Sequence, residues 1–100
     1  MRMTKAKALE IMRRVEGEHC FFNNDGKVFC GFADLAQEIT VMPQPVFNFH
    51  CNSKKCDFTN WISDVLGDEK LAKDMSAAKG IRSKIENLIL KRVSQLEKYL

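Results

Sequence analysis

Four cysteines, Cys20, Cys30, Cys51 and Cys56, and two histidines, His19 and His50, are the side chains of this chain best suited to chemistry. A zinc ion takes about four sulfur or nitrogen donors at tetrahedral positions, most easily from two short segments. Here the segments would be Cys20 with Cys30 and Cys51 with Cys56, with His50 or His19 as a substitute ligand. The Cys-x9-Cys and Cys-x4-Cys spacings are looser than the Cys-x2-Cys knuckle of zinc ribbons. The same thiols therefore read first as small buried apolar groups. Cys20 and Cys30 could instead form a cross-strand disulfide, as intracellular proteins of hyperthermophiles do.

A second constellation sits in the same stretch. His50 precedes Asp57 by seven residues, and a loop joining them could make a general base beside Cys51 or Cys56 as nucleophile. No Gly-rich phosphate loop, oxyanion motif or second carboxylate pair accompanies it. The simpler role for His50 is a ring nitrogen bonded to the start of a helix that Asp57 caps. Catalytic residues are therefore not assigned, and His50, Asp57, Phe58 and Trp61 are read as structural.

These side chains need elements to position them. Thr4 is a plausible N-cap, and Ala8, Ile11, Met12 and Val15 recur on one helical stripe that Gly17 ends. Aromatic and β-branched residues flank Asn23-Asn24-Asp25-Gly26 and predict a hairpin over 18–31. A three-residue loop, Asn24 to Gly26, would pair Phe22 with Val28 and Cys20 with Cys30. A two-residue Asp25-Gly26 turn would set Cys20 against Gly31, and the first register is preferred. A second helix is expected over 32–42, stopped by Pro43. Residues 46–51 read as helix or strand, with the shared face of Val46, Phe49 and His50 favouring helix. Phe58, Trp61, Ile62 and Val65 mark a helix from the Asp57 cap to Gly67. Asp68 caps the next, and Gly80 breaks it. A long last helix over 81–100 carries Ile85, Leu88, Ile89, Arg92, Leu96 and Leu100 along one broad stripe. The fold class is mainly α with a small β-hairpin, in one domain: a hairpin and helical core over 17–78 and the C-terminal helix. Trp61 should centre the core, with Phe49, Phe58, Ile62 and Ile85 as neighbours.

Composition narrows the class. Of the 100 residues, 45% are apolar and 29% charged, a globular balance. No apolar run approaches the roughly 18 residues of a membrane span, and no signal-peptide core follows the N-terminus, so a cytoplasmic location with no membrane partner is expected. The net charge is +3, unevenly placed. Residues 1–14 carry five basic side chains against Glu10 alone, and residues 79–100 carry six against Glu86 and Glu97. The 64 residues between hold five basic and ten acidic groups. If the two basic ends meet in space, Arg2, Lys5, Arg13, Arg14, Lys84 and Lys91 become a nucleic-acid footprint. If they do not, they are solvated helix faces.

Phe49-His50, then Asp57-Phe58-Thr59-Asn60-Trp61-Ile62, then Leu66-Gly67-Asp68-Glu69-Lys70-Leu71-Ala72 form a pattern. It resembles a small prokaryotic domain family, common in archaea, marked by an aromatic-His pair, a DF-x-x-W-I stretch and an LGD-x-x-LA stretch. Phe29-Cys30-Gly31-Phe32 through Ala36 is similar to that family's strand-then-helix entry, so the likeness spans about residues 19–75. The family carries no assigned activity, and the resemblance implies a fold unit and no reaction. Cysteines are not part of the pattern, so a metal site here would belong to this branch alone.

Two functional expectations follow. One is a non-enzymatic adaptor that docks on a protein partner, or on a second copy, through Ile85, Leu88, Ile89, Arg92, Leu96 and Leu100, with no cofactor. The other is a zinc-stabilised nucleic-acid- or ribosome-associated protein using the basic ends. A Cys/His enzyme is the weaker third.

Overall fold

The Thr4 hydroxyl accepts a hydrogen bond from the Lys7 N–H at 3.1 Å, satisfying a donor left open at a helix start. Helix α1 follows over Lys5–Met12 in the computed structural model, which describes residues 2–100. The helix ends well before Gly17, where the sequence pattern placed its stop. Arg13 turns extended, with ψ 150°. Its guanidinium donates to the carbonyls of Glu10 at 2.6 Å and Val65 at 2.7 Å. The Val15 N–H then donates to the Cys30 carbonyl at 2.8 Å. Tertiary bonds thus draw residues 13–15 alongside the hairpin, and Val15 packs on the core from outside the helix. Gly17, at φ +57°, opens a 3₁₀ turn over Gly17–His19 instead.

Strands β1 (Phe21–Phe22) and β2 (Val28–Phe29) pair antiparallel, Phe22 with Val28 and Phe21 with Phe29. The Asn23 N–H donates to the Lys27 carbonyl at 2.8 Å, and Gly26 takes φ +91°. This is the three-residue loop, with Gly in the left-handed position. The register sends Phe21 and Phe29 into the core and leaves Phe22 and Val28 outside.

Helix α2 covers Phe32–Glu38, shorter than the expected 32–42. The turn that follows it is held from a distance: the Arg82 guanidinium donates to the carbonyls of Ile39 at 2.9 Å and Met42 at 2.5 Å and lies 5.1 Å from the Phe47 ring centre. Helix α3 (Gln44–His50) carries Pro45 in its first turn, where a missing N–H costs nothing. The ambiguous segment is therefore helix. Helix α4 (Asp57–Trp61) widens into a π turn over Ile62–Leu66, and Gly67 at φ +80° ends it. Helices α5 (Glu69–Ala77) and α6 (Arg82–Glu97) complete the chain.

One apolar cluster joins residues from every helix and the hairpin, Ala8 through Leu96, so the C-terminal helix is part of the same core. Helices α1, α2 and α5 all pack against α6. Trp61 is buried, edge-on to Phe21 at 5.9 Å, with its Nε1–H donating to the His19 carbonyl at 2.8 Å. Phe58 and Ile62 are buried beside it, but Phe49 is 56% exposed. It faces away because its neighbour His50 takes the inward position of α3.

Gly80 holds the α5–α6 turn against the loop after α3. It sits at φ +78°, and a Cβ there would overlap the main chain of Asn52. Gly80→Ala combines left-handed strain with a backbone clash, each on the order of 1–3 kcal/mol. The expected outcome is a fall of more than about 2 kcal/mol in urea-measured stability. A change within about 0.5 kcal/mol, the range of ordinary surface substitutions, would contradict this close approach.

Candidate functional site

The loop between α3 and α4 gathers most of the reactive side chains. Cys51 and Cys56 face each other across an isolated antiparallel bridge and are joined as a disulfide; Cys20 and Cys30 are joined across the hairpin. No cysteine is free among the described residues. His50 is buried against Phe21 at 5.0 Å and Phe58 at 5.3 Å. Its Nε2 accepts the Asn24 N–H from the hairpin loop at 2.9 Å. The ring proton therefore lies on Nδ1 and is donated to the Asp57 carboxylate at 3.0 Å. The Lys55 ammonium reaches the same carboxylate at 3.2 Å.

This arrangement is a tie-bar. Both ring nitrogens of His50 are occupied, one by each of two segments, and the sulfurs of Cys51 and Cys56 are bonded to one another. At this loop the His50 ring and both sulfurs are therefore engaged in structural bonds. Asp57 is the first residue of α4 and Cys56 its cap, so Asp57 serves the histidine and not the helix end. A zinc ion on Cys20, Cys30, Cys51, Cys56 and His50 would require both disulfides to be reduced and His50 to release a partner. Among the described residues no group of three or more His, Cys, Asp or Glu side chains is arranged around a metal position. Each disulfide closes a short loop of the unfolded chain, worth about 2–3 kcal/mol in the chain-entropy account. A dithiol reductant should therefore lower the melting temperature and a metal chelator should leave it unchanged. The opposite pattern, read by calorimetry, would point to bound metal.

The hairpin is fastened to α2 by Asp34, whose carboxylate accepts the Cys30 N–H at 2.9 Å and the Arg14 guanidinium at 3.3 Å. Partial burial pulls its pKa up, but the Cys30 N–H and the Arg14 charge outweigh that and hold it below the ordinary carboxylate value. Asp25 is also lowered, first by the Lys27 N–H and then by the Asn23 amide. A lowered folded pKa stabilises the fold above the unfolded value of about 3.9 and loses that contribution as pH falls through the folded value. The wild type and Asp34→Asn should therefore differ in melting temperature at neutral pH and converge on acidification to about pH 2. Parallel curves would remove Asp34 from this role.

The basic residues divide. Arg13 is spent on carbonyls and Arg14 on Asp34, because both lie where the chain leaves α1 for the hairpin. Arg92 is inside, its guanidinium bonded twice to Asp68, Nε at 2.7 Å and Nη2 at 2.8 Å. Asp68 is 1% exposed and also caps α5 through the Leu71 N–H. Arg2, Lys5, Lys84 and Lys91 remain exposed. The chain's ends do meet. An open groove lies between α5 and α6, lined by Ala77, Ala78, Leu88, Lys84 and Lys91. It continues past Gln95 to Lys98 and Tyr99, where Met3 also lines it. A depression beside Arg92 adds Arg2 and Lys7.

Of the six residues expected to dock a partner, Ile85, Ile89 and Leu96 are fully buried. Three helices converge on that stripe, so the domain covers it after all. Leu88 is half-buried and Leu100 is 54% exposed. Sequence reading missed Arg82 as the tie to the turn after α2 and the Asp68–Arg92 pair; no local pattern announces partners 40 and 24 residues apart.

Comparison with protein-family models, curated proteins and solved structures returns no match. No helix among the described residues is long and apolar enough to cross a membrane.

Proposed function

We propose that this chain is a non-enzymatic interaction domain that docks on a protein partner through the outer side of α6. The observation carrying this reading is the row of three lysines of α6 and its C-cap along the α5–α6 groove. Lys84, Lys91 and Lys98 stand exposed there, and none of them pairs with a carboxylate among the described residues. The four cysteines are held in disulfides and His50 ties the hairpin loop to α4, which supports a binding role over a catalytic one. The docking surface differs from the stripe the sequence suggested, since Ile85, Ile89 and Leu96 belong to the core.

The same lysine row supports the second reading, a nucleic-acid-associated protein on the basic face. Against it, Tyr99 is the one aromatic side chain on the groove among the described residues for base stacking. A photo-reactive residue at exposed Asn87, with another at exposed Glu18 as control, tests the proposal in cells. One defined protein adduct is expected at position 87, lost when Lys84 and Lys91 are both changed to Glu. Equal labelling at both positions, or nucleic acid as the main adduct, would count against protein docking.

A further inference from the structure

The exposed side of α6 next to α5 carries its own repeat. Ile81, Leu88 and Gln95 recur every seven residues, and so do Lys84, Lys91 and Lys98. Seven residues make two turns, so each row advances about 10.5 Å per step along one line of the helix. All six positions except Leu88 are exposed, and Leu88 is half-buried. The opposite wall of the groove offers Ala77 and Ala78 at the end of α5, small enough for a backbone to approach closely, and Asp74, whose carboxylate is paired with Lys70 at 2.6 Å. A row at seven-residue spacing keeps facing a helix laid along it, and this one presents Ile81 and Leu88 before the polar Gln95. Here the other row is entirely lysine.

We infer that the α5–α6 groove seats an acidic amphipathic helix of the partner, its apolar side chains over Leu88, Ala77 and Ala78 and its carboxylates along Lys84, Lys91 and Lys98. This rests on the docking proposal above and names the chemistry of the occupant. Charge decides between occupants. A second copy of the chain would bring the same lysine row against this one, and facing like charges oppose association. A helix with Glu every seven residues neutralises the row and leaves an apolar seam beneath it. The groove also fits by length, because α6 has sixteen residues, about 24 Å of helix.

Fluorescence anisotropy with three labelled probes tests the inference: a helical peptide of about sixteen residues with Leu and Glu alternating in the two heptad rows, the same peptide with Lys for Glu, and a short single-stranded RNA. The full chain should bind the Glu peptide and not the Lys peptide. K84E/K91E, with its circular dichroism spectrum unchanged, should weaken the Glu peptide at least about tenfold and gain affinity for the Lys peptide. Asn87→Trp, which narrows the groove while keeping every charge, should also weaken binding. Equal binding of the two peptides, no exchange of preference in the charge-reversed variant, or tighter, steeply salt-dependent binding of RNA would overturn the acidic-helix assignment. If Asn87 cross-links to a protein but the Glu peptide is not preferred, this inference fails and the docking proposal stands. If no adduct forms at Asn87, both fall.

Discussion

Asp68→Ala is expected to lower the unfolding free energy by about 3–5 kcal/mol, because it leaves the Arg92 guanidinium partly buried with no counter-charge. The Arg92 side chain is only 15% exposed and the Asp68 side chain 1%. The same substitution removes the cap from the Leu71 N–H, a further loss of about 1 kcal/mol. Urea denaturation of wild type, Asp68→Ala and Asp68→Ala with Arg92→Met separates the contributions. The double variant removes the stranded charge, so it should recover part of the loss. If it is no more stable than Asp68→Ala alone, the ion pair is not what the aspartate was holding. A small domain holds on the order of 5–15 kcal/mol in all, so Asp68→Ala should be visible as a large fall in melting temperature.

Trp61→Ala is expected to cost a similar amount, about 3–5 kcal/mol. The indole fills the space between α4 and the hairpin, against Phe21, and the only bond from α4 to the turn before β1 is its Nε1–H to the His19 carbonyl. Trp61→Phe keeps much of the ring and loses the bond, which should cost about 1 kcal/mol for the bond itself. The two variants together show whether packing or the hydrogen bond dominates. If Trp61→Ala melts with the wild type and loses only a partner, Trp61 is an interface anchor and not part of the core.

Both substitutions fall in the stretch from Asp57 to Ala72, and the structure gives that stretch a physical reading. Phe58, Trp61 and Ile62 are buried, Gly67 ends the turn in the left-handed region, Asp68 caps α5, and Leu71 and Ala72 enter the core. The aromatic-His pair splits its duties. His50 is inside as the tie between hairpin and α4, and Phe49 is outside with the Lys55 ammonium 5.5 Å from its ring centre.

Local chemistry decided what the sequence could decide alone. The Thr4 cap, the hairpin with its Gly26 loop and its register, the Gly67 and Gly80 stops and the Asp68 cap each depend on residues within a few positions of one another. Their backbone preferences survive into the fold. Whatever depends on distant partners had no such signal. Helix α1 stops early because Arg13 finds carbonyls more than fifty residues away. Arg92 looks like a surface residue until Asp68 arrives beside it. Phe49 and His50 are adjacent in sequence, and only the position of the hairpin loop selects which one is buried. The apolar stripe of α6 said that the helix needed covering but not by what. Helices α1, α2 and α5 claim Ile85, Ile89 and Leu96, and the side left over is the one set with lysine. Periodicity reports how much apolar surface a helix must bury. Which neighbours bury it is settled by the packing of the whole chain, because burial is non-directional and any apolar face of the right shape will serve.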